Sequence, residues 1–564
     1  MKLSDYVIST IKAAGVDTVF GFQGSNATHL INSIHTTPGI EYHQNNHEQA
    51  SAFAACGYSE VKGMLGCAIS SSGPGAINLI GGMVNAWFDS LPVIFLTGQL
   101  NSKALSPSIN YRQHGFQEFD IVSVASNFTK YAVTVLDATQ IRYHLEKAIW
   151  LATNGRQGGV LLDIPHDIQA CDIDIKALNR FDPEETDLVL PEPTDIADCL
   201  NLLASAKRPL VLVGGGAKEL RNNSLFDTFI SEFNLPTVAS LRGLDLLSHD
   251  STHFYGFIGA YGNRYANLAI HDCDLLLVLG SRLDPLQIGN IPDGFGENAK
   301  IIHVDIDRYE LNHNIRCDVA INSSCQKFIE ALFEQRQHSL EPKNYREWYL
   351  HLDQLKRRYP VFSNVDDKTL PNQIIYSVSR FFAADDIITG DVGQNQMWTA
   401  QSIYLRDNMR LLNSGGLGSM GYSLPAAIGA AMANPVSRVL SISGDGGIQM
   451  NIQELATVKR LNLPIKIMIM NNQSLGLIRT YQNIVFNNNI GSVEGFSSPD
   501  YELIAKGYGI RYLSVGSVEE LQTAESLLTD LLPLVIEVKL PIDTEVHPEP
   551  AYRMPVYIQS PLVD

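Results

Sequence analysis

Short, wholly apolar runs that empty into glycine or a small polar loop recur along this chain, and they limit its fold more than any other feature. RPLVLVGGGA, CDLLLVLGSRLD, RVLSISGDGG and IKIMIMNN are the plainest. A strand that is apolar at every position must be covered on both faces, the condition inside a parallel sheet flanked by helices. DTVFGFQG, LGCAISSS, LPVIFLTGQ and GGVLLDIP set this rhythm up to about Cys171. RPLVLVGGGA, CDLLLVLGSRLD and KIIHVDID repeat it from about Thr194, and DDIITGDVG, RVLSISGDGG, IKIMIMNN and LPLVIEVKLP from about Pro371. A link rich in Pro, Glu and Asp (Phe181 to Pro193) and a charged helical stretch beginning near Gln335 separate the blocks. At 564 residues the chain exceeds what one core serves. The expectation is an α/β protein of three domains, residues 1–175, 190–335 and 360–545, each a mostly parallel sheet flanked by helices. Internal duplication would produce such a series, although no period in the sequence establishes it.

The net charge of -19 argues against nucleic acid or an anionic membrane as the main partner. It leaves phosphate ligands open, since backbone N–H groups and a metal bind those on an acidic protein. Seven cysteines without a CxxC pair argue against a disulfide framework and for a cytoplasmic location. The opening MKLSDYVISTIKAAG reads as an amphipathic helix rather than a signal peptide. Met64 to Phe88 carries no charge over a length that could span a bilayer, but its glycines, proline and serine run predict a buried, turn-rich segment.

The chemistry concentrates in the third block. Gly444-Asp445-Gly446-Gly447 closes one strand and opens a helix, and Asn471-Asn472 closes the next strand. A strand–turn–helix–strand unit of that length returns the chain beside its start, so Asp445 and Asn472 can share one hard cation. Oxygen ligands suit Mg²⁺ or Ca²⁺, and Mg²⁺ commonly grips phosphates as well. The small residues permit close backbone approach, and the helix start offers unpaired N–H groups. A GDG tripeptide alone is usually a plain turn; the asparagine pair at this spacing makes the metal reading the stronger one.

The whole run resembles the cofactor-binding motif of the thiamin diphosphate-dependent enzymes. The resemblance makes Asp445, Asn472 and the Ser474 carbonyl the ligands of Mg²⁺, with Gly444, Gly446, Gly447, Leu475 and Gly476 around the diphosphate. Gly393-Gln394-Asn395-Gln396 and the GGLGSMGYSLPAAIGA segment, with Gly418 and Met420, are similar to the acetolactate synthase branch, in which Met420 would support the bent cofactor. In HQNNHEQASAFAACGYS, Glu48 matches the glutamate that meets the aminopyrimidine and helps remove the C2 proton. A glutamate at a helix start is otherwise more often a partner of the helix dipole; one screened from water would hold a proton near neutrality. Gly24 and Ser25 match the loop facing the thiazolium, Asn78 the pyrimidine side, and Gln117 in Phe116-Gln117-Glu118 the amide beside the substrate. The middle block lacks GxGxxG. Arg156, Gly214, Gly215, Gly216, Gly280, Arg282, Asp284, Asp305 and Ile306 nonetheless line up with the FAD-binding members, Arg156 and Arg282 balancing the diphosphate and Asp305 meeting a ribose. A middle domain that has lost its nucleotide, or binds only an adenine nucleotide, is the alternative.

The match departs around the acceptor. Leu286 stands where the branch carries an arginine for the carboxylate of the second keto acid, Tyr481 where it has tryptophan, and His166 where it has lysine; Leu477 lies beside them. Arg264 or Arg479 could replace the lost clamp. The resemblance implies decarboxylation of pyruvate and transfer of the two-carbon unit to a second carbonyl substrate. The departures favour a ketone or keto-sugar nucleotide as acceptor, with ordinary acetolactate synthesis and a flavin-coupled pyruvate oxidase as alternatives. A homodimer is the smallest unit the family allows and a tetramer is common; a regulatory subunit is left open.

Overall fold

The computed structural model describes every residue except 106–111, 184–189, 222–223, 337–342, 363–368, 407, 494–497, 552 and 563–564. Parts of the Pro-rich link and of the charged stretch after Gln335 therefore lie outside the described residues.

Three six-stranded sheets, parallel throughout, account for the apolar runs. The first contains β1 (Thr18–Gly21), β2 (Glu41–Gln44), β3 (Gly66–Ser70), β4 (Val93–Gln99), β5 (Tyr131–Thr134) and β6 (Val160–Pro165), in the order β2-β1-β3-β4-β6-β5. The second contains β7 (Pro209–Val213), β8 (Thr237–Ala239), β9 (Phe254–Phe257), β10 (Leu275–Leu279), β11 (Lys300–Asp305) and β12 (Val319–Asn322), ordered β12-β11-β10-β7-β8-β9. The third runs β14-β13-β15-β16-β18-β17, where β13 is Ile387–Gly390, β14 Arg410–Asn413, β15 Val439–Gly444, β16 Ile465–Asn471, β17 Arg511–Val515 and β18 Leu534–Lys539. The first and third sheets thus share one topology. The middle sheet has the order of dinucleotide-binding domains.

In sheets of this kind a ligand crevice opens beyond the carboxyl ends of the strands, where the order reverses direction. That point falls between β1 and β3, between β7 and β10, and between β13 and β15. The loops carrying Gly24, Gly214–Gly216, Gly280, Gly393 and Asp445 leave those strand ends.

The first and third domains join through two helices, Glu48–Lys62 and Ser423–Ala433. Both are faced with small residues, and their backbones nearly touch: a Cβ added to Gly429 would stand 1.9 Å from the Ala54 carbonyl oxygen, and one added to Gly57 2.3 Å from that of Ala426. The segment Met64–Phe88 forms β3, a turn and the helix Pro74–Phe88. Among the described residues no helix is long and apolar enough to cross a membrane. The expected single helix after Asp445 is two: Asp445–Met450 stops at Asn451, and a 3₁₀ turn, Ile452–Glu454, leads into Leu455–Leu461.

Candidate active site

At the carboxyl ends of the third sheet's central strands the parallel register of β15 and β16 sets Gly444 opposite Met470, so Asp445 and Asn472 leave neighbouring strands side by side. Asp445 is 2% exposed, and its Oδ2 has no hydrogen-bond partner among the described residues. Burial pushes its carboxyl up to about 6, the behaviour of a carboxylate held without a countercharge. Its carbonyl accepts from the Tyr501 hydroxyl at 2.9 Å, which fixes the turn. The Asn472 amide donates to Gln394 Oε1 at 2.8 Å, and its Oδ1 accepts the Ser474 N–H at 3.3 Å. The buried Ser474 hydroxyl and Gln396 Nε2 have no partner. One carboxylate, one amide oxygen and small-residue backbone make an oxygen-donor set for a hard cation, and the unanswered Oδ2 is what such an ion would satisfy. The residues present therefore fit Mg²⁺ with a diphosphate. Gly476 meets Gln394 so closely that a Cβ there would lie 1.8 Å from its Oε1. Gly393 caps the helix Gln394–Ser402, whose Asn395 side chain donates to the Asp391 carbonyl at 2.7 Å. Leu475 caps the helix Gly476–Val485, and Met420 is half-buried in the turn before Ser423.

Asp391 was missed in the sequence. Its carboxylate accepts the N–H groups of Val392 at 2.8 Å and Gly421 at 2.9 Å, and lies under Gly447, whose added Cβ would come within 3.0 Å of it. The signal was present: Gly390-Asp391-Val392-Gly393 repeats the strand-then-Gly-Asp pattern of Gly444-Asp445.

The first sheet presents the second cluster. Glu48 is the first residue of its helix, whose cap His47 accepts the Gln49 N–H on Nδ1 at 3.1 Å. Asn78 donates to Glu48 Oε2 at 2.9 Å, and Gly75 leaves room for Oε1. Glu48 is half-buried in the single chain, less screened than the sequence suggested. Gly24 packs on Ser71, where a Cβ would meet that side chain at 2.4 Å, and Ser25 begins a 3₁₀ turn. Gln117 sits against Gly73 with φ of 63°, a left-handed conformation strained for a side-chain-bearing residue. Lys130 donates to the carbonyls of Asn154 and Arg156, both at 2.7 Å, and so shapes the Arg156 loop.

A cavity of about 710 Å³ opens at the middle switch point and is walled by all three domains. Gly215, Gly216, Gly280, Arg282, Asp284, Asp305 and Ile306 line it, as does Arg156. Gly214 lies behind them: a Cβ there would stand 2.2 Å from the Gly280 carbonyl, so the two strand ends interlock by backbone alone. Burial pushes the Asp305 carboxyl up to about 6, and it accepts the Asp307 N–H at 2.9 Å. The charge expected at Arg156 is already engaged. Its guanidinium pairs with Asp307 at 2.7 Å and Glu310 at 2.9 Å. Arg282 lies 3.6 Å from Asp284. A buried ionic network unforeseen in the sequence joins the domains here: Lys218 bonds Glu60 at 2.9 Å and Asp245 at 3.2 Å, and Arg242 bonds Glu60 at 3.2 Å.

The acceptor candidates divide. Leu286, 65% exposed, and Leu477 line this same cavity. His166 instead packs on His29, with ring centroids 4.5 Å apart, and Tyr481 lies edge-on to Phe486. In the single chain the four do not form one pocket. Arg264 donates to the carbonyls of Gln559 and Pro561, and Arg479 to that of Ile542, so both lean on the C-terminal segment.

Three family models match this chain. The N-terminal TPP binding domain of thiamine pyrophosphate enzymes matches residues 1–124, the central domain 196–332 and the C-terminal TPP binding domain 391–538. The chain is 32% identical over 542 residues to the acetolactate synthase isozyme 2 large subunit of Escherichia coli (strain K12), covering 96% of both chains. It is 33% identical over 562 residues to a probable acetolactate synthase large subunit of Methanocaldococcus jannaschii, covering 95% of this chain and 92% of that one. With the chloroplastic acetolactate synthase 1 of Oryza sativa subsp. japonica it shares 33% over 562 residues, 97% of this chain and 86% of the relative. Three matched domains in this order, with relatives aligned along nearly the whole length, make the chain a member of the thiamine pyrophosphate enzymes, a carboligase on the branch of the acetolactate synthase large subunits.

Proposed function

We propose that this enzyme decarboxylates pyruvate and joins the two-carbon unit to the carbonyl of a second 2-oxo acid, pyruvate or 2-oxobutanoate, as an acetolactate synthase. The observation that carries the cofactor assignment is the buried, unpartnered Oδ2 of Asp445 beside Asn472. The choice of acceptor rests on what the relatives are named for.

Thiamin diphosphate, when bound, supplies an acidic C–H and an electron sink for the decarboxylation. Asp445, Asn472 and the Ser474 carbonyl would hold its Mg²⁺. Glu48, oriented by Asn78 through Oε2, would hold a proton at the pyrimidine ring. Gly24 and Ser25 would form a wall of small residues over the reacting centre, and Gln117 would offer an amide to the substrate. The Glu48 and Asp445 clusters leave different sheets, and in a homodimer or tetramer the first-domain cluster of one chain would face the third-domain cluster of its partner. The middle cavity would take FAD in a structural role, with Asp305 accepting from a ribose hydroxyl and Gly215, Gly216 and Gly280 admitting the diphosphate close to the backbone.

A second reading keeps the donor half and changes the acceptor to a ketone or keto-sugar nucleotide. Two features favour it: Leu286 stands in the sequence where the branch carries its carboxylate clamp, and Arg264 is committed to the C-terminal segment. One experiment separates the two. The protein, with thiamin diphosphate, Mg²⁺ and FAD, is given pyruvate alone and then with 2-oxobutanoate, cyclic ketones or a 4-keto-sugar nucleotide, and products are read by mass spectrometry. Acetolactate as the dominant product at a rate matching CO₂ release supports the main reading. CO₂ release with a two-carbon adduct on a non-carboxylate acceptor replaces it by the second.

A further inference from the structure

We propose that Glu454, in the third domain, is a positioning residue for Glu48 in the first. The proposal rests on the assignment of Glu48 to the proton transfer described above. Glu454 is fully buried and has no ion-pair partner among the described residues. A buried carboxylate without a cation is costly unless donors satisfy it. Burial accordingly raises its proton affinity, and the bonds from Asn45, Thr457 and Asn46, with His47 behind them, oppose that rise. Two of its donors come from the four residues that lead into Glu48, and a third from the helix that follows it. The Asn46 N–H donates to Oε1 at 2.8 Å, and Asn45 Nδ2 to Oε2 at 3.0 Å. Thr457, one helical turn on, donates to Oε2 at 2.8 Å.

Further bonds converge on the same four residues. Asn46 Nδ2 donates to the Gln453 carbonyl and to Thr457 Oγ1, both at 3.1 Å, and Arg460 donates to the Gln44 carbonyl. Segment 44–47 is therefore stapled across the domain boundary immediately before Glu48. Within the first domain that segment is held more lightly: β2 is an edge strand with exposed ends, Asn46 is exposed, and beyond β2 the Asn45 N–H donates to the Gly21 carbonyl at 3.0 Å. The helix start that aims Glu48 at Asn78 thus takes its position from the third domain. The break after Met450 now has a use. It turns the chain so that a 3₁₀ turn, rather than a continuing helix, presents Glu454 to the neighbouring domain.

The clamp works by hydrogen-bond geometry rather than charge. Asn45 Oδ1 has no partner, so a flipped Asn45 amide can accept from a glutamine at 454. Glu454→Gln should keep the staple and Glu454→Ala should lose it. Amide hydrogen exchange of the protein without cofactor is the first readout. Protection at residues 46–51 should fall in Glu454→Ala and stay near wild type in Glu454→Gln. The second readout is C2 hydrogen exchange of bound thiamin diphosphate, measured by NMR. It should slow about 10- to 100-fold in Glu454→Ala, with Mg²⁺ and cofactor affinity unchanged, and recover in Glu454→Gln. Wild-type protection and wild-type C2 exchange in Glu454→Ala would overturn the proposal, as would a Gln variant as impaired as the Ala one. Should Glu454→Ala not fold, Thr457→Val decides by the same two readouts, with a smaller loss expected in each. If local protection falls but Glu48→Gln itself leaves C2 exchange unchanged, the clamp stands and the proton-transfer role of Glu48 fails.

Discussion

Gly429→Ala tests the joint between the first and third domains. The added methyl would point at the Ala54 carbonyl oxygen from 1.9 Å, and at the Ala54 carbon and Tyr58 nitrogen from 2.7 and 2.8 Å. Cβ atoms keep at least 3.0 Å, so the two helices must separate by about 1.1 Å. No flexible side chain can absorb the shift, because the obstruction is backbone. Separation by that much forfeits a quarter to a half of the dispersion energy across the seam. Overpacking a core typically costs about 1–3 kcal/mol, and backbone on both sides puts this case at or above the upper figure. Gly507→Ala is the control, since nothing lies within 4 Å of its added Cβ. Thermal and urea unfolding should show Gly429→Ala destabilised by about 3 kcal/mol and Gly507→Ala unchanged or slightly stabilised. A Gly429→Ala protein within about 0.5 kcal/mol of wild type would refute the idea that the seam is set by backbone contact.

Asp445→Ala should weaken Mg²⁺ and thiamin diphosphate together by about 10- to 100-fold in calorimetric titration, the loss typical of a charged contact; unchanged affinity for both would remove Asp445 from the site. Glu48→Gln should still bind the cofactor but slow its C2 hydrogen exchange by about 100-fold or more, as loss of a general acid–base does, read by NMR. Leu286→Arg should raise the preference for 2-oxo acids over uncharged carbonyl acceptors by about ten- to a hundredfold, read as product ratios in competition. Asp163 is buried among Thr97, Gln99 and Thr134, and burial pushes its carboxyl up to about 6 from an ordinary 3.8. Its protonated form is the one the fold favours, so its contribution is complete below about pH 4 and is lost as pH rises through about 6. The stability of wild type relative to Asp163→Asn should therefore drop by up to about 3 kcal/mol between those limits, and parallel pH profiles in unfolding experiments would contradict it.

The sequence was legible where burial was complete. β7, β10, β15 and β16 are buried at nearly every residue, and their apolar runs announce them. β5, β12 and β17 are edge strands of half-exposed residues, and no period or run marks them out from loops. The metal cluster could be read because Asp445 and Asn472 lie within one strand–helix–strand unit. Glu454 and the Lys218–Glu60–Arg242 network could not, because each joins residues more than a hundred positions apart, and only the packing of domains brings them together. The ion pairs of Arg156 belong to the same class: an arginine in a loop reads as available until its carboxylates arrive from another domain.

The cavity at the middle switch point has walls from three separate cores: Arg156 and Asp89 from the first domain, Gly280 and Asp305 from the second, Gly416 and Gly418 from the third. A molecule lodged there would touch all three at once and bind best when they are docked. By mass action its free concentration would then raise the stability of the docked arrangement, by about 2.7 kcal/mol at one hundred times its dissociation constant. Stripping that molecule out should leave each sheet intact while loosening the domains from one another. The melting curve would separate into steps long before any strand unfolds.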